Sequence, residues 1–261
     1  MNNPFPSIPC PVIDAHVHPF DESTCNIAPY GVTNTTGEFF QELKACGFQK
    51  VCGSIIDKTI SSYEDIRKLN QRTIAMKHQY PDFYEPGIHV TDMDVQASCA
   101  EIETLHREED VRWIGELVNY SMKIGDYNSK GMLEIFQLAA DLGMVVNIHC
   151  GELDILTDVL KNVPKLKLVL AHPGDVSSAK ERLELIRPYK NAFLDISGTG
   201  IFRWGLLHYA IKAIGADRLL FGSDFPVCSP GMNLGGVLAE HLSDEELTLI
   251  LGGNFFRLIN R

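Results

Sequence analysis

Two hydrophobic rhythms alternate along the 261-residue chain. Short runs rich in β-branched residues occur at 12–18 (VIDAHVH), 50–56 (KVCGSII), 83–90 (FYEPGIHV) and 111–118 (VRWIGELV). Four more follow at 144–151 (MVVNIHCG), 166–172 (LKLVLAH), 192–198 (AFLDISG) and 218–225 (RLLFGSDF). Their length and composition predict strands. The intervening stretches carry apolar residues at three- and four-residue spacing and predict amphipathic helices. In TTGEFFQELKACG a threonine precedes the helix and Gly47 follows it, as start and stop signals should. MLEIFQLAADLG and KERLELIRPY read the same way, and the tail LSDEELTLILGGNFFRLIN predicts one or two helices broken at Gly252-Gly253.

Strands that alternate with helices imply a parallel sheet with right-handed crossovers. Eight such units are the number that closes a (β/α)8 TIM barrel, and about 250 residues is its usual length. The expectation is one α/β domain over 1–261 with extra C-terminal helices; an open doubly wound sheet is the alternative that the repeat alone leaves standing. No low-complexity tract or Pro/Ser/Gly-rich linker divides the chain.

Composition narrows the function classes. A hydrophobic content of 45% supports a large core, and 23 basic against 34 acidic side chains, net −11, argue against a broad nucleic-acid footprint. No apolar run approaches the roughly 18 residues that span a bilayer. The start, MNNPFPSIPCP, lacks the basic and apolar regions of a secretory signal. Seven scattered cysteines without a CxxC pair point to a reducing compartment, so a cytoplasmic location is expected. A small-molecule substrate is the expected partner, and self-assembly into a homo-oligomer stays open.

Candidate chemistry begins in the first run, where Asp14, His16 and His18 occupy alternate positions and would share one face of a strand. Two imidazoles side by side are costly to bury with nothing to bind. Five of the nine histidines, His16, His18, His89, His149 and His172, lie at or near the carboxyl end of a predicted strand, where barrel active sites are built. Glu116 and Asp224 share that placement. His16, His18, His149, His172 and Asp224 would reach one rim as a metal site. Glu116 reads as a bridging ligand, a general base or an ion-pair partner of Arg112. Asp14, deeper on the same face, would orient the imidazoles. His78, His106, His208 and His241 fall in helical stretches and carry no such reading. Cys150 should face the helices by strand alternation and is not a candidate nucleophile.

The ordered set IDAHVHP, VVNIHCG, LVLAHPGD, FLDISG and LLFGSDFPV, with the closing LSDEELTLILGGNFFRLIN, resembles the amidohydrolase superfamily and most closely its amidohydrolase-related branch of metal-dependent barrel hydrolases. The resemblance covers nearly the whole chain. It implies metal ligands at His16, His18, His149, His172 and Asp224, with one or two divalent ions per chain, commonly zinc. Two-metal members carry a bridging carboxylate, for which Glu116 stands in the right region. IGEL is also similar to the glutamate motif of TatD-type deoxyribonucleases, although the chain continues LVNYSM without the acidic residue those nucleases carry soon after.

Imidazole and carboxylate ligands suit Zn²⁺, with Mn²⁺, Fe²⁺ or Co²⁺ as alternatives. The expected activity is hydrolysis of a small amide, lactone or ester, with Asp224 as proton shuttle and His172 holding metal or polarising the substrate. Alternatives are a non-oxidative decarboxylase of the same branch, a TatD-like nuclease and a non-catalytic metal-binding barrel. Candidate pocket residues are Phe20, His89, Tyr120, Lys123, Glu152, Arg203 and Trp204. Arg203 and Trp204 would grip a substrate carboxylate, or IFRWGLLHYAI simply starts a helix with Trp204 on its packed face.

Overall fold

The computed structural model describes residues 7–22, 27–31, 35–149 and 151–259. Eight parallel strands, β1 (Ile13–Val17), β2 (Lys50–Gly53), β3 (Tyr84–Ile88), β4 (Trp113–Leu117), β5 (Val145–Ile148), β6 (Lys167–Leu170), β7 (Ala192–Asp195) and β8 (Leu219–Leu220), pair in sequential order. The two ends of the sheet meet through hydrogen bonds from Ala15 N to Phe221 O (3.0 Å), Asp224 N to His16 O (2.8 Å) and His18 N to Phe225 O (2.8 Å). Sequential order with closure is a (β/α)8 TIM barrel and excludes the open doubly wound alternative, whose strand order reverses.

Helices α1 (Thr36–Ala45), α2 (Tyr63–Gln79), α3 (Val95–Glu109), α4 (Asn119–Met122), α5 (Lys130–Asp141), α6 (Leu153–Asn162), α7 (Val176–Ile186) and α8 (Leu206–Ile214) fill the crossovers. The expected start of α1 is realised as a capping box: Thr35 Oγ1 accepts from Glu38 N while the Glu38 carboxylate accepts from Thr35 N. After β8 come α9 (Pro230–Ala239), α10 (Asp244–Thr248) and α11 (Asn254–Leu258). Gly252-Gly253 do not break this tail. A π-helical turn over Leu249–Gly253 joins α10 to α11 instead. The reason lies in packing: a Cβ on Gly252 would stand 2.9 Å from both Pro11 O and Ile13 Cγ1, so only glycine lets the tail close under β1.

Two apolar layers follow. Outward strand residues such as Val51, Ile114, Val146, Leu168 and Leu194 pack against the helices. Ile13, Ala15, Cys52, Trp113, Val145, Val169, Phe193 and Leu220 form an inner floor, sealed below by Phe255, Leu258 and Ile259. That floor closes the bottom of the barrel and leaves polar strand-end residues to gather at the opposite mouth. No described helix is long and apolar enough to cross a membrane.

Candidate metal centre

The alternation expected for β1 is interrupted. Its register against β2 slips between Asp14 and Val17, so Ile13 and Ala15 join the inner floor while His16 and His18 emerge above it. Asp14 is fully buried, but its Oδ1 accepts from His16 N (3.2 Å) and Ser223 N (2.8 Å) and bonds neither imidazole. Burial pushes the Asp14 carboxyl up to about 7, with the bonds from Ser223 opposing it. Asp14 therefore ties β1 to the β8 loop and does not steer the rings.

The carboxylate that steers them is Asp195, at the end of β7. Its Oδ2 lies 3.0 Å from His16 Nδ1 and 3.0 Å from Asn147 Nδ2, and its Oδ1 accepts from His172 N (3.2 Å), Ser197 N (3.1 Å) and Ser197 Oγ (2.5 Å). The segment FLDISG carries this acid, which is not among the ligands expected from the sequence. The signal was available, because Asp195 ends its strand as Glu116 and the histidines end theirs.

Each of three rings has its far nitrogen engaged. His16 Nδ1 meets Asp195, His18 Nδ1 lies 3.0 Å from Ser54 O, and His172 Nδ1 lies 2.9 Å from Ser197 Oγ. A carboxylate and a backbone carbonyl only accept, so Nδ1 of His16 and His18 must carry the hydrogen and Nε2 of each presents a lone pair. Those two Nε2 atoms are 3.1 Å apart. Bare lone pairs cannot face each other at that distance, and a cation or proton between them resolves the conflict.

Glu116, 4% exposed at the end of β4, stands at the centre. Its Oε2 is 3.4 Å from His18 Nε2 and 3.6 Å from His16 Nε2; its Oε1 is 3.0 Å from His149 Nδ1 and 3.3 Å from His172 Nε2. Asp224 Oδ1 completes the group at 3.3 Å from His18 Nε2 and 3.9 Å from His16 Nε2. Arg112 pairs with Asp110 at 2.5 Å, so the ion-pair reading of Glu116 does not describe its contacts. Burial disfavours charge on His16, yet Asp195 and Glu116 outweigh it and hold its pKa well above the ordinary value. Burial likewise opposes the Glu116 carboxylate, but the surrounding imidazoles hold its pKa well below the usual range. Buried carboxylates that stabilise positive charge on the imidazoles would equally stabilise a cation held in place of those protons.

Local backbone geometry aims these groups. Gly115 has φ +94°, and a Cβ there would meet Asn147 O at 2.2 Å, so glycine alone permits the turn that presents Glu116. His172 (φ 61°) and Asp224 (φ 63°) both adopt the left-handed region, at a cost of about 1–3 kcal/mol each that surrounding bonds must offset. Arg182 of α7 donates to the carbonyls of Ala171 and His172 and braces the first of these turns. Buried Tyr127 ties the end of β4 to the residue after β5 through Leu117 O (2.6 Å) and His149 O (3.2 Å).

The cluster opens into a cavity of about 260 Å³. His18, Glu116, His149, His172 and Asp224 form its polar end, and Ile56, Val118 and Val227 are among its apolar walls, with Lys58 and Tyr120 also lining it. Through His149 and Tyr120 it adjoins a broader polar groove of about 650 Å³ that contains Lys123 and Glu152.

The other expected pocket residues lie elsewhere. His89 is 1% exposed beneath the mouth and lines none of the described cavities; its Nε2 is 2.8 Å from Ile55 O. Phe20 is buried against Phe39 at 5.8 Å between ring centres. Arg203 and Trp204 border a separate recess between α7 and α8, and Trp204, 82% exposed, packs on no helix face. Cys150 lies outside the described residues. Of the four remaining histidines, His78 meets Glu109 (2.7 Å), and His106 and His208 meet the backbone carbonyls of Val111 and Glu240. His241 follows α9 in a left-handed turn.

A closed (β/α)8 barrel with imidazoles and carboxylates from β1, β4, β5, β6 and β8 gathered at its carboxyl-terminal mouth defines a class of metal-binding barrel enzymes. The chain belongs to the amidohydrolase family, whose sequence model matches residues 13–259. No curated protein matches it in sequence. Among solved structures it is similar to the 5-carboxyvanillate decarboxylase LigW from Sphingomonas paucimobilis (TM-score 0.77, 14% identity, covering 97% of this chain and 99% of that one). It is also similar to a dihydroxybenzoic acid decarboxylase from Polaromonas sp. JS666 with bound manganese and 2-nitroresorcinol (0.74, 15%, 96% and 98%). An uncharacterised TIM-barrel protein from Bordetella bronchiseptica matches comparably (0.75, 18%, 97% and 100%).

Proposed function

We propose that the chain is a metal-dependent hydrolase of a small amide, lactone or ester, in which Glu116 would serve two divalent ions at once. The observation that carries this reading is the division of Glu116: Oε2 faces His16 and His18, and Oε1 faces His149 and His172. His16, His18 and Asp224 would hold one divalent ion and His149 and His172 the other. Zinc is the first candidate for this donor set, and the manganese in the Polaromonas decarboxylase makes that ion the second. Such ions supply Lewis acidity, activating water and stabilising charge on a developing oxyanion.

The chain's own residues do the rest. Asp224, 8% exposed and facing the cavity, accepts the proton of the attacking water and returns it to the leaving group. His172 stays oriented by Ser197. Ile56, Val118 and Val227 exclude bulk water from one side of the reacting group.

Decarboxylation is the second reading, supported by the fold shared with LigW and the dihydroxybenzoic acid decarboxylase. One placement favours hydrolysis: Glu116 turns into the site, between the His16/His18 and His149/His172 pairs. The test is a screen of zinc- and manganese-loaded protein against lactones, amides, esters and aromatic carboxylic acids, with Asp224→Asn alongside. The expected outcome is hydrolysis that falls about 100-fold or more in the metal-loaded variant. Release of CO2 without hydrolysis, or unchanged turnover in Asp224→Asn, contradicts the proposal.

A further inference from the structure

Arg203 and Trp204 are not idle. With the start of α7 and α8 they border a recess of about 210 Å³ on the barrel rim, separate from the metal cavity. Its walls are apolar: Val176 and Ala179 from α7, Leu206 and Tyr209 from α8. Two cations stand beside them, Lys180 and Arg203, and neither forms an ion pair among the described residues. Lys180 Nζ lies 6.0 Å above the Tyr209 ring, and the Arg203 guanidinium rests 5.0 Å above the Phe202 ring. The one carboxylate among the described lining residues, Asp175, accepts from Ser178 N at 2.8 Å, and this bond, with the charge of Arg203 adding to it, holds its pKa below the usual range.

The scaffold is fixed before any ligand arrives. Gly205 N donates to Glu240 Oε1 (2.6 Å), Arg203 N to Gly200 O (2.9 Å) and Gly174 N to Thr199 O (2.9 Å). Glu240 is 3% exposed, so a buried carboxylate just after α9 anchors the turn that presents Arg203 and Trp204.

We propose that this recess is a second binding site, for a small aromatic carboxylate. Size admits a ring: a closed cavity of about 150 Å³ holds benzene, and this half-open recess of about 210 Å³ has room for a ring with a short charged substituent. Charge selects the anion, because two cations, Lys180 and Arg203, outnumber the single carboxylate, Asp175, in the lining of a recess on a protein that is otherwise strongly acidic. The ring would lie against Tyr209, Leu206 and Ala179, with its carboxylate toward Arg203 and Lys180.

The chain has two tryptophans, and only Trp204 borders the recess; Trp113 is 1% exposed in the barrel floor. Indole N–H resonances of ¹⁵N-labelled, metal-loaded protein therefore report the site against an internal control. Titration with phenylacetate should move the Trp204 resonance saturably and leave Trp113 in place, while neutral benzyl alcohol produces no saturable shift over the same range. In the Arg203→Gln/Lys180→Gln variant the phenylacetate affinity should fall about ten-fold or more. Ala179→Phe, which fills the recess, should abolish the shift. Four outcomes overturn the proposal: no movement of Trp204, equal movement with benzyl alcohol, undiminished binding in the double variant, or movement with protein concentration alone, which would assign the patch to a second copy of the chain.

Discussion

Oδ2 of Asp195 lies 3.0 Å from Nδ1 of His16, so a carboxylate at the end of the seventh strand sets the ring orientation of a histidine on the first. All the neighbours of this carboxylate are donors: the His16 ring, the Asn147 amide, the His172 and Ser197 backbone N–H groups and the Ser197 hydroxyl. In Asp195→Asn an NH2 group would face donors, and His16 would lose the partner that fixes its tautomer. Metal affinity, measured by competition with a chelating dye, should fall about 10–100-fold. Unchanged affinity would show that His16 needs no such anchor.

Gly198 lies against the two strained residues of the site. A Cβ there would stand 2.6 Å from His172 Nδ1 and 3.1 Å from Asp224 Oδ2, at a backbone φ of +61°. Gly143 offers the matched control, with φ +68° and nothing within 4 Å. Both alanine variants should lose roughly 1–2 kcal/mol of stability in urea titrations from the left-handed backbone, and Gly198→Ala more, because its Cβ must displace the His172 ring. Gly198→Ala alone should also lose metal affinity, by about ten-fold or more. Equal metal binding in the two variants would separate His172 and Asp224 from the ligand set.

His89 gives a pH signature independent of activity. Burial pushes its pKa down to about 4; its bond to Ile55 O opposes that shift, and the nearby His18 adds to it. An unfolded histidine titrates near 6.5. Between those values the unfolded chain binds a proton that the folded chain refuses, so stability present above about pH 6.5 is lost as pH falls toward 4. The loss attributable to His89 is about 3 kcal/mol at most. Urea midpoints at pH 7 and pH 4.5 should therefore fall further in the wild type than in His89→Gln. Identical acid sensitivity would show that His89 is not the group responsible.

Much of this was legible in the residues. The eight runs located all eight strands, because β-branched clusters between capped helices leave few alternatives. Most runs extend beyond the strands at the carboxyl end: His18, His149, His172 and Asp224 follow the last paired residue, where the backbone turns to present them. The slip in β1 was not legible, since VIDAHVHP alternates perfectly on paper and the interruption arises from pairing with Lys50–Gly53. That alternation puts Asp14 on the face of the rings, whereas the structure bonds it to the backbone of His16 and Ser223. Arg203 and Trp204 were rightly placed after the seventh strand, but a sequence does not say on which side of a loop a side chain lies. His89 shows the same limit, being at a strand end yet turned to a backbone carbonyl.

Central to the account is Glu116 as the bridge between two ions, and anomalous diffraction from crystals of the zinc-loaded protein tests it most directly. The account predicts two peaks flanking the Glu116 carboxylate, roughly 3.5–4 Å apart, one beside His16, His18 and Asp224 and the other beside His149 and His172. A single peak with Glu116 unliganded, or no peak at the barrel mouth, would contradict it.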